Sequence, residues 1–87
     1  MWFVYILKCR NDDLYTGITN NLERRFNEHK AGKGGHFTRS FGAEKILYST
    51  EYANKSSALK REAQIKGWTR KNKLALIEGD SELLKKL

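Results

Sequence analysis

Two tyrosines near the start of the chain offer a pair of phenol groups to a ligand or a proton. Tyr5 and Tyr15 lie in apolar runs joined by the polar turn residues 11–13, a pattern typical of a β-hairpin. In the register that places Tyr5 opposite Gly17, both phenols lie on one sheet face as diagonal neighbours. Glycine leaves a hollow beside Tyr5 where a ligand could approach the sheet. The alternative is a pair of hydrogen-bonded core tyrosines.

A predicted helix after the hairpin carries an arginine and a histidine along one edge. Asn20, with Glu23 three residues later, fits a capping box that begins this helix, and Gly32 is placed to end it. Arg25 and His29 are four residues apart, beside the apolar stripe that should pack on the sheet. His29 therefore occupies a core-facing position, either as part of a site or as a hydrogen-bonded core histidine.

A carboxylate interrupts the apolar stripe of a second predicted helix, residues 54–67. The stripe comprises Ala58, Leu59, Ala63 and Ile65. At about 100° per residue, Glu62 falls inside this stripe. A charge there costs free energy unless a cation partners it. Two interpretations stay open: a structural ion pair with Arg61 or Lys66, or a ligand for a metal ion.

The elements that must position these groups are three strands and three helices. The predicted strands are residues 2–7, 14–19 and 45–52. The first strand is a continuous apolar run, which indicates a central strand buried on both faces. A third helix is predicted over residues 69–78. We therefore expect an α/β (α+β) fold in which a small, mainly antiparallel three-stranded sheet is flanked by the helices near Leu22 and Leu59.

The charge balance favours a polyanionic partner. Seventeen Lys and Arg residues against ten Asp and Glu give a formal charge of +7, which points most simply to nucleic acid and also suits ribosomes, membrane surfaces or plain solubility. The candidate phosphate contacts are Lys33, Arg39, Lys66, Arg70 and Lys71. The glycine-rich residues 31–42 form either a substrate-contacting loop or a simple flexible connection, and they lack the phosphate-cradling GxxxxGK[ST] motif.

The size and cysteine content of the chain narrow the class of protein. At 87 residues it has room for one domain with a modest core, so we expect a single domain over residues 1–87. Cys9 is the only cysteine and cannot form an internal disulfide. The apolar run after Met1 is too short for a signal peptide or a membrane span. These features favour a cytoplasmic protein with no membrane partner.

Four spaced segments of the sequence resemble the GIY-YIG nuclease superfamily. They are FVYIL, LYTGIT, NLERRFNEH and ALKREAQIK, in that order. The resemblance covers residues 3–73 and is closest to small single-domain members. Val4 and Tyr5 stand at the second and third positions of GIY, with Phe3 in place of the glycine. In the second half of the motif, Thr16 replaces the isoleucine of YIG. The nearest equivalent of the family's late asparagine is Asn72.

This resemblance implies a phosphodiesterase with one divalent metal ion, Mg²⁺ with Mn²⁺ as a possible substitute, bound by Glu62. Tyr5 would be the general base toward water, and Arg25 would stabilise the charge that develops on the phosphorane. Tyr15 and His29 would complete the site by contacting the phosphate or by orienting Tyr5. Since a phenol has a pKa of about 10, Tyr5 needs positive charge nearby to act near neutral pH.

Two classes of function follow from this resemblance. The first is an endonuclease that acts on nucleic acid, with DNA favoured over RNA. The second is a non-catalytic nucleic-acid-binding module that keeps the fold and the basic surface. Metal-dependent cutting of nucleic acid would distinguish them.

Overall fold

The computed structural model describes residues 1–32 and 42–85, which form one sheet and the helices around it. The strands are β1 (Trp2–Cys9), β2 (Leu14–Thr19) and β3 (Ala43–Tyr52). The helices are α1 (Leu22–Lys30), α2 (Lys55–Lys66), α3 (Arg70–Glu78) and the short α4 (Ser81–Leu84). The sheet has the antiparallel order β2-β1-β3. The predicted α+β fold is thereby confirmed.

The first strand is the centre of the sheet because its side chains are apolar on both faces. Val4, Ile6 and Leu7 are each fully buried, and β1 pairs with β2 on one side and with β3 on the other. Tyr5 lies opposite Gly17 in the β1–β2 pair, as the hairpin pattern predicted. A shift of one residue would have moved every side chain of β2 to the other face.

The two faces of the sheet pack against different helices. Val4 and Ile6 point toward α2 and form a core cluster with its residues Ala58 and Ile65. Tyr5 belongs to the second core cluster, on the other face of β1. Half-buried side chains on this second face include Leu22 and Phe26 of α1, Tyr15 of β2 and Ile46 of β3. Helix α1 therefore covers the face that carries the two phenols.

The start of α1 differs from the prediction by one residue. The N-cap is Asn21, whose side chain accepts a hydrogen bond from the Arg24 amide at 3.0 Å, so the expected capping box of Asn20 with Glu23 is wrong. Two consecutive asparagines are equally good caps by residue type. Thr19 favours Asn21 as the cap because it fixes the backbone of that residue. The Thr19 hydroxyl accepts a hydrogen bond from the Asn21 amide at 3.1 Å and donates one to the Asn21 carbonyl at 3.2 Å.

Helix α2 is rotated from the stripe that its apolar residues predicted. Ala58 and Ile65 are fully buried as expected, whereas Leu59 is 43% exposed and Ala63 is exposed too. The buried side of the helix instead includes Arg61, which is only half-exposed. Its guanidinium lies 5.0 Å from the ring centre of Trp68 just beyond the helix. A guanidinium over an aromatic face is a favourable cation–π contact, and the apolar stem of arginine tolerates partial burial.

Helix α3 begins and ends as predicted and is tied back to the hairpin. Thr69 caps it by accepting from the Asn72 amide, and Gly79 ends it with a φ of 74°, which is strained for residues with a side chain. Arg70 donates a 2.6 Å hydrogen bond to the carbonyl of Asp12 in the β1–β2 turn. Among the helices of residues 1–32 and 42–85, none has the length and apolar character needed to cross a membrane.

Candidate active site

The phenol of Tyr5 meets the imidazole of His29 between the sheet and α1. Tyr5 Oη lies 2.9 Å from His29 Nε2. The two residues are 2% and 0% exposed, so both side chains are buried. Tyr5 comes from the middle of β1 and His29 from the last turn of α1. The core-facing position predicted for His29 is thus confirmed, and its partner is a tyrosine of the motif.

Tyr15 completes a cluster of three aromatic rings. Its ring centre lies 6.3 Å from that of Tyr5 and 5.0 Å from that of His29, and the second contact is edge-to-face. This is the diagonal placement that the hairpin register predicted. Tyr15 is only half-buried, so the cluster runs from the protein interior toward solvent.

Arg25 brings a permanent positive charge to the same phenol. Its side chain donates a hydrogen bond to the Tyr5 oxygen, and its Nη1 lies 3.6 Å from Glu28 Oε1. A guanidinium has no acceptor, so Tyr5 accepts this bond and keeps its own O–H for His29. Glu28 is not among the predicted site residues, although its position three residues after Arg25 on a helix indicates such an ion pair.

Burial controls the protonation of both partners. Burial raises the pKa of Tyr5 to about 12, although the hydrogen bond from Arg25 opposes this rise. Burial, aided by the charge of Arg25, lowers the pKa of His29 to about 4. At neutral pH the phenol is therefore protonated and the imidazole is neutral, so Tyr5 Oη donates to His29 Nε2. The expectation that nearby positive charge would bring the Tyr5 pKa down is not met in the protein alone.

The lowered pKa of His29 predicts a loss of stability in mild acid. Because the unfolded chain has a histidine pKa near 6.5 and the folded protein has one of about 4, the unfolded state binds the proton first as the pH falls. The titration of His29 leaves the free energy of unfolding unchanged above pH 6.5. Between pH 6.5 and about pH 4 it lowers the free energy of unfolding progressively, by about 3 kcal/mol in total. His29→Gln should remove this part of the pH dependence, as measured by urea unfolding across that range. Parallel curves for the wild type and the variant would contradict it.

Glu62 belongs to the helix on the other face of the sheet and makes no hydrogen bond or ion pair with the ring cluster among the described residues. It lies on α2, its side chain is 16% exposed, and its Oε2 is 3.5 Å from Lys66 Nζ. Its negative charge is one of the causes that raise the pKa of Tyr5, so it lies within electrostatic reach of the phenol. The ion pair with Lys66 that the sequence allowed is present, and its lysine partner is largely exposed. Lysine can therefore turn to solvent and release the carboxylate.

A metal ion at this point would have few protein ligands. Residues 1–32 and 42–85 contain no cluster of three or more His, Cys, Asp and Glu side chains that could hold one. Glu62 thus offers a single carboxylate, and Mg²⁺ is commonly bound by one or two carboxylates while water and substrate phosphate complete its six oxygen ligands. The residues fit a metal ion that binds together with a substrate phosphate.

The family described as the GIY-YIG catalytic domain matches residues 1–75. The chain belongs to the GIY-YIG family. Tyr5, Tyr15, Arg25, His29 and Glu62 all lie within the matched part of this GIY-YIG domain.

Relatives of this GIY-YIG domain are similar over nearly their whole length. A UPF0213 protein of Oceanobacillus iheyensis is 50% identical over 76 residues, which cover 87% of this chain and 88% of that protein. A UPF0213 protein of Clostridium perfringens is 48% identical over 81 residues, covering 93% and 87%. The solution NMR structure of a UPF0213 protein from Bacillus halodurans shares 33% identity with a TM-score of 0.58, over 90% of this chain and 84% of that chain.

The glycine of the second half of the GIY-YIG motif makes room for the phenol of the first half. A Cβ atom built on Gly17 would lie 2.6 Å from Tyr5 Oη and 2.8 Å from Tyr5 Cζ. It would also lie 3.1 Å from Cε1 of Tyr15. The hollow predicted opposite Tyr5 is therefore filled by the tyrosine ring itself, which lies over the glycine.

Gly17→Ala should displace the Tyr5 phenol and weaken the fold. We expect a loss of about 1–3 kcal/mol in unfolding free energy from overpacking, and a roughly hundredfold loss of any activity that depends on the position of the phenol. Gly67→Ala is the matched control, since its Cβ would be no closer than 3.5 Å to its neighbours. Thermal melts and an activity assay on both variants measure the difference. Equal behaviour would show that the close approach is not required.

The predicted phosphate contacts are only partly within the described residues. Lys33 and Arg39, with most of the glycine-rich segment, lie outside them. Lys66 ends α2, and Arg70 and Lys71 begin α3, all three exposed. The structure therefore places these three residues around the junction of the two helices. It also assigns Arg70 a structural hydrogen bond to the β1–β2 turn that no sequence pattern indicated.

Proposed function

We propose that this GIY-YIG domain is a metal-dependent endonuclease that hydrolyses phosphodiester bonds of nucleic acid, DNA in the first instance. The observation that carries the proposal is the buried hydrogen bond from Tyr5 Oη to His29 Nε2, with Arg25 donating to the same oxygen. A phenol joined to a neutral imidazole can pass a proton on, and a guanidinium beside it can hold a phosphate.

Tyr5 cannot accept a proton from water while it keeps its own, and its raised pKa means that it does keep it at neutral pH. In the proposed step, the Tyr5 oxygen takes a proton from the attacking water as its own proton moves to His29 Nε2. The water oxygen bonds to phosphorus, and the bond from phosphorus to the 3′-oxygen breaks. The products are a 5′-phosphate and a 3′-hydroxyl whose proton comes from solvent.

Arg25 links substrate binding to this proton transfer. In the protein alone its positive charge helps to keep the pKa of His29 low. When Arg25 binds the scissile phosphate, the phosphate charge offsets that effect, and the imidazole becomes a better proton acceptor. Arg25 would also stabilise the charge that develops on the phosphorane oxygens. Tyr15, at the solvent side of the ring cluster, is positioned to contact the same phosphate.

Glu62 is the proposed ligand of the divalent metal ion, Mg²⁺ or Mn²⁺. Such an ion would supply positive charge to a non-bridging oxygen and to the leaving 3′-oxygen. Binding of the metal ion would break the ion pair between Glu62 and Lys66. The ammonium group of Lys66 would then be available to the nucleic-acid backbone. Because the protein offers one carboxylate, binding of the metal ion without nucleic acid should be weak.

Incubation of the full chain with labelled single-stranded, duplex and branched DNA and RNA tests the proposal. Each substrate is assayed with Mg²⁺, Mn²⁺ or EDTA. Cutting that requires the metal ion, and that is absent in Tyr5→Phe prepared in the same way, supports the nuclease. Cutting of RNA alone would reassign the substrate class. Binding without cutting under every condition would reject the nuclease in favour of a nucleic-acid-binding module.

A further inference from the structure

A groove between the β1–β2 turn and α3 has two cations in its lining that the proposed reaction does not use. It has a volume of about 340 Å³ and lies between the β1–β2 turn and the start of α3. Its lining residues are Asp13, Leu14, Arg70 and Lys73. The two cations are three residues apart, so they lie on one side of α3. Asp13 stands at the other rim, with its carboxylate accepting a 2.8 Å hydrogen bond from Asn11.

Lys73 is a partly buried cation without an acidic partner. It is half-buried, and among residues 1–32 and 42–85 no carboxylate lies within ion-pair distance of it. Burial and the like charge of Lys66 both lower its pKa. A half-buried ammonium group that feels a like charge costs free energy unless an anion joins it.

The neighbours of Lys73 make this groove suitable for an anion. Arg70 is held in place by its 2.6 Å bond to the Asp12 carbonyl, so it loses little freedom when it binds. The first turn of α3 contains no acidic residue, which leaves the positive end of the helix dipole unopposed. Lys66 in turn contacts Glu62 at 3.5 Å. A path of positive charge thus runs from the proposed metal ligand to the groove.

We propose that Lys73, together with Arg70 and Lys66, forms a subsite for a backbone phosphate of the nucleic acid, one that flanks the scissile phosphate. The identity of this ligand rests on the proposed nuclease function. The subsite itself concerns binding and does not require cleavage. It places Lys73 in one groove with Arg70, and the bond to the Asp12 carbonyl gives Arg70 a fixed position in the interface.

The salt dependence of binding tests the subsite. Binding of labelled single-stranded and duplex DNA to the full chain is measured in EDTA, over a range of salt concentrations. Lys73→Gln should reduce the slope of log affinity against log salt by about one, because one counterion fewer is released. Lys73→Arg should retain the wild-type slope. Lys45→Gln, which removes the same charge from an exposed position on β3, should retain it too.

A scan of single neutral linkages identifies the phosphate. Oligonucleotides that carry one methylphosphonate each are bound to the wild type and to Lys73→Gln. At one linkage, the methylphosphonate should weaken binding to the wild type several-fold. The same methylphosphonate should leave binding to Lys73→Gln unchanged. The subsite is overturned if both proteins lose the same affinity at every linkage. It is also overturned if Lys45→Gln changes the salt slope as much as Lys73→Gln does. If this coupling is found but no substrate is cut, the nuclease proposal fails and the subsite stands.

Discussion

Glu62→Ala should reduce phosphodiester cleavage by about three orders of magnitude or more, while nucleic acid binds as tightly as before or more tightly. The variant removes the proposed metal ligand, and a metal ion held there would supply several kcal/mol of transition-state stabilisation. It also removes one negative charge close to the bound phosphate. Cleavage rates at saturating substrate and binding in EDTA measure the two effects separately.

The same variant should unfold at nearly the same temperature as the wild type. The ion pair that it breaks has an exposed partner, since the Lys66 side chain is 53% exposed. Such pairs contribute about 0–1 kcal/mol, whereas a deeply buried pair would cost about 3–5 kcal/mol to break. Glu51→Ala, at an exposed position on β3, is the control. A large loss of melting temperature, with activity retained per folded molecule, would refute the metal-ligand assignment and leave Glu62 as a structural residue.

Tyr5→Phe should lower the maximal cleavage rate by about 10²–10⁴-fold with little change in substrate affinity. The phenylalanine ring still fills the space over Gly17, but nothing then joins the attacking water to His29. Stability should fall by about 1–3 kcal/mol, because the buried Nε2 of His29 loses the donor that lies 2.9 Å away. Tyr52→Phe, which removes a phenol from β3 outside this ring cluster, is the matched control and should keep the wild-type cleavage rate.

The pH dependence of the rate separates two roles for Tyr5. A proton relay needs a protonated phenol and a neutral imidazole, and the pKa values of about 12 and about 4 provide both across the neutral range. The rate should then change little between about pH 6 and 10. If Tyr5 had to ionise first, the rate would rise about tenfold per pH unit over the same range. That result would exclude the relay through His29.

Local patterns predicted the sheet and the shared position of the phenols because both depend on neighbours along the chain. The alternation in β1 and β2, with a short turn between them, leaves one register that buries both apolar sets. The same reasoning placed His29 toward the core and put Glu62 inside the buried side of α2. In each case the spacing of residues on one element was sufficient.

Contacts between distant elements could not be predicted in this way. The side of α2 that is buried is set by its packing on β1, where Ala58 and Ile65 meet Val4 and Ile6 and Leu59 stays exposed. The bond from Arg70 to Asp12 joins residues 58 positions apart. The raised pKa of Tyr5 depends on how completely α1 and the sheet exclude water from the phenol, which composition does not reveal. Thr19 decided the capping residue through a hydroxyl that sequence patterns treat as an ordinary strand residue.

The central place of β1 affects how the chain can fold during synthesis. β1 is made first, and β2 follows after a short turn, so this hairpin can form early. The other edge of β1 has no partner until β3, which begins at Ala43 and ends at Tyr52, has left the ribosome. Until then the most apolar strand of the protein presents unpaired amide and carbonyl groups, which are a template for pairing with another chain. Truncation before Tyr52 should therefore yield an aggregating fragment.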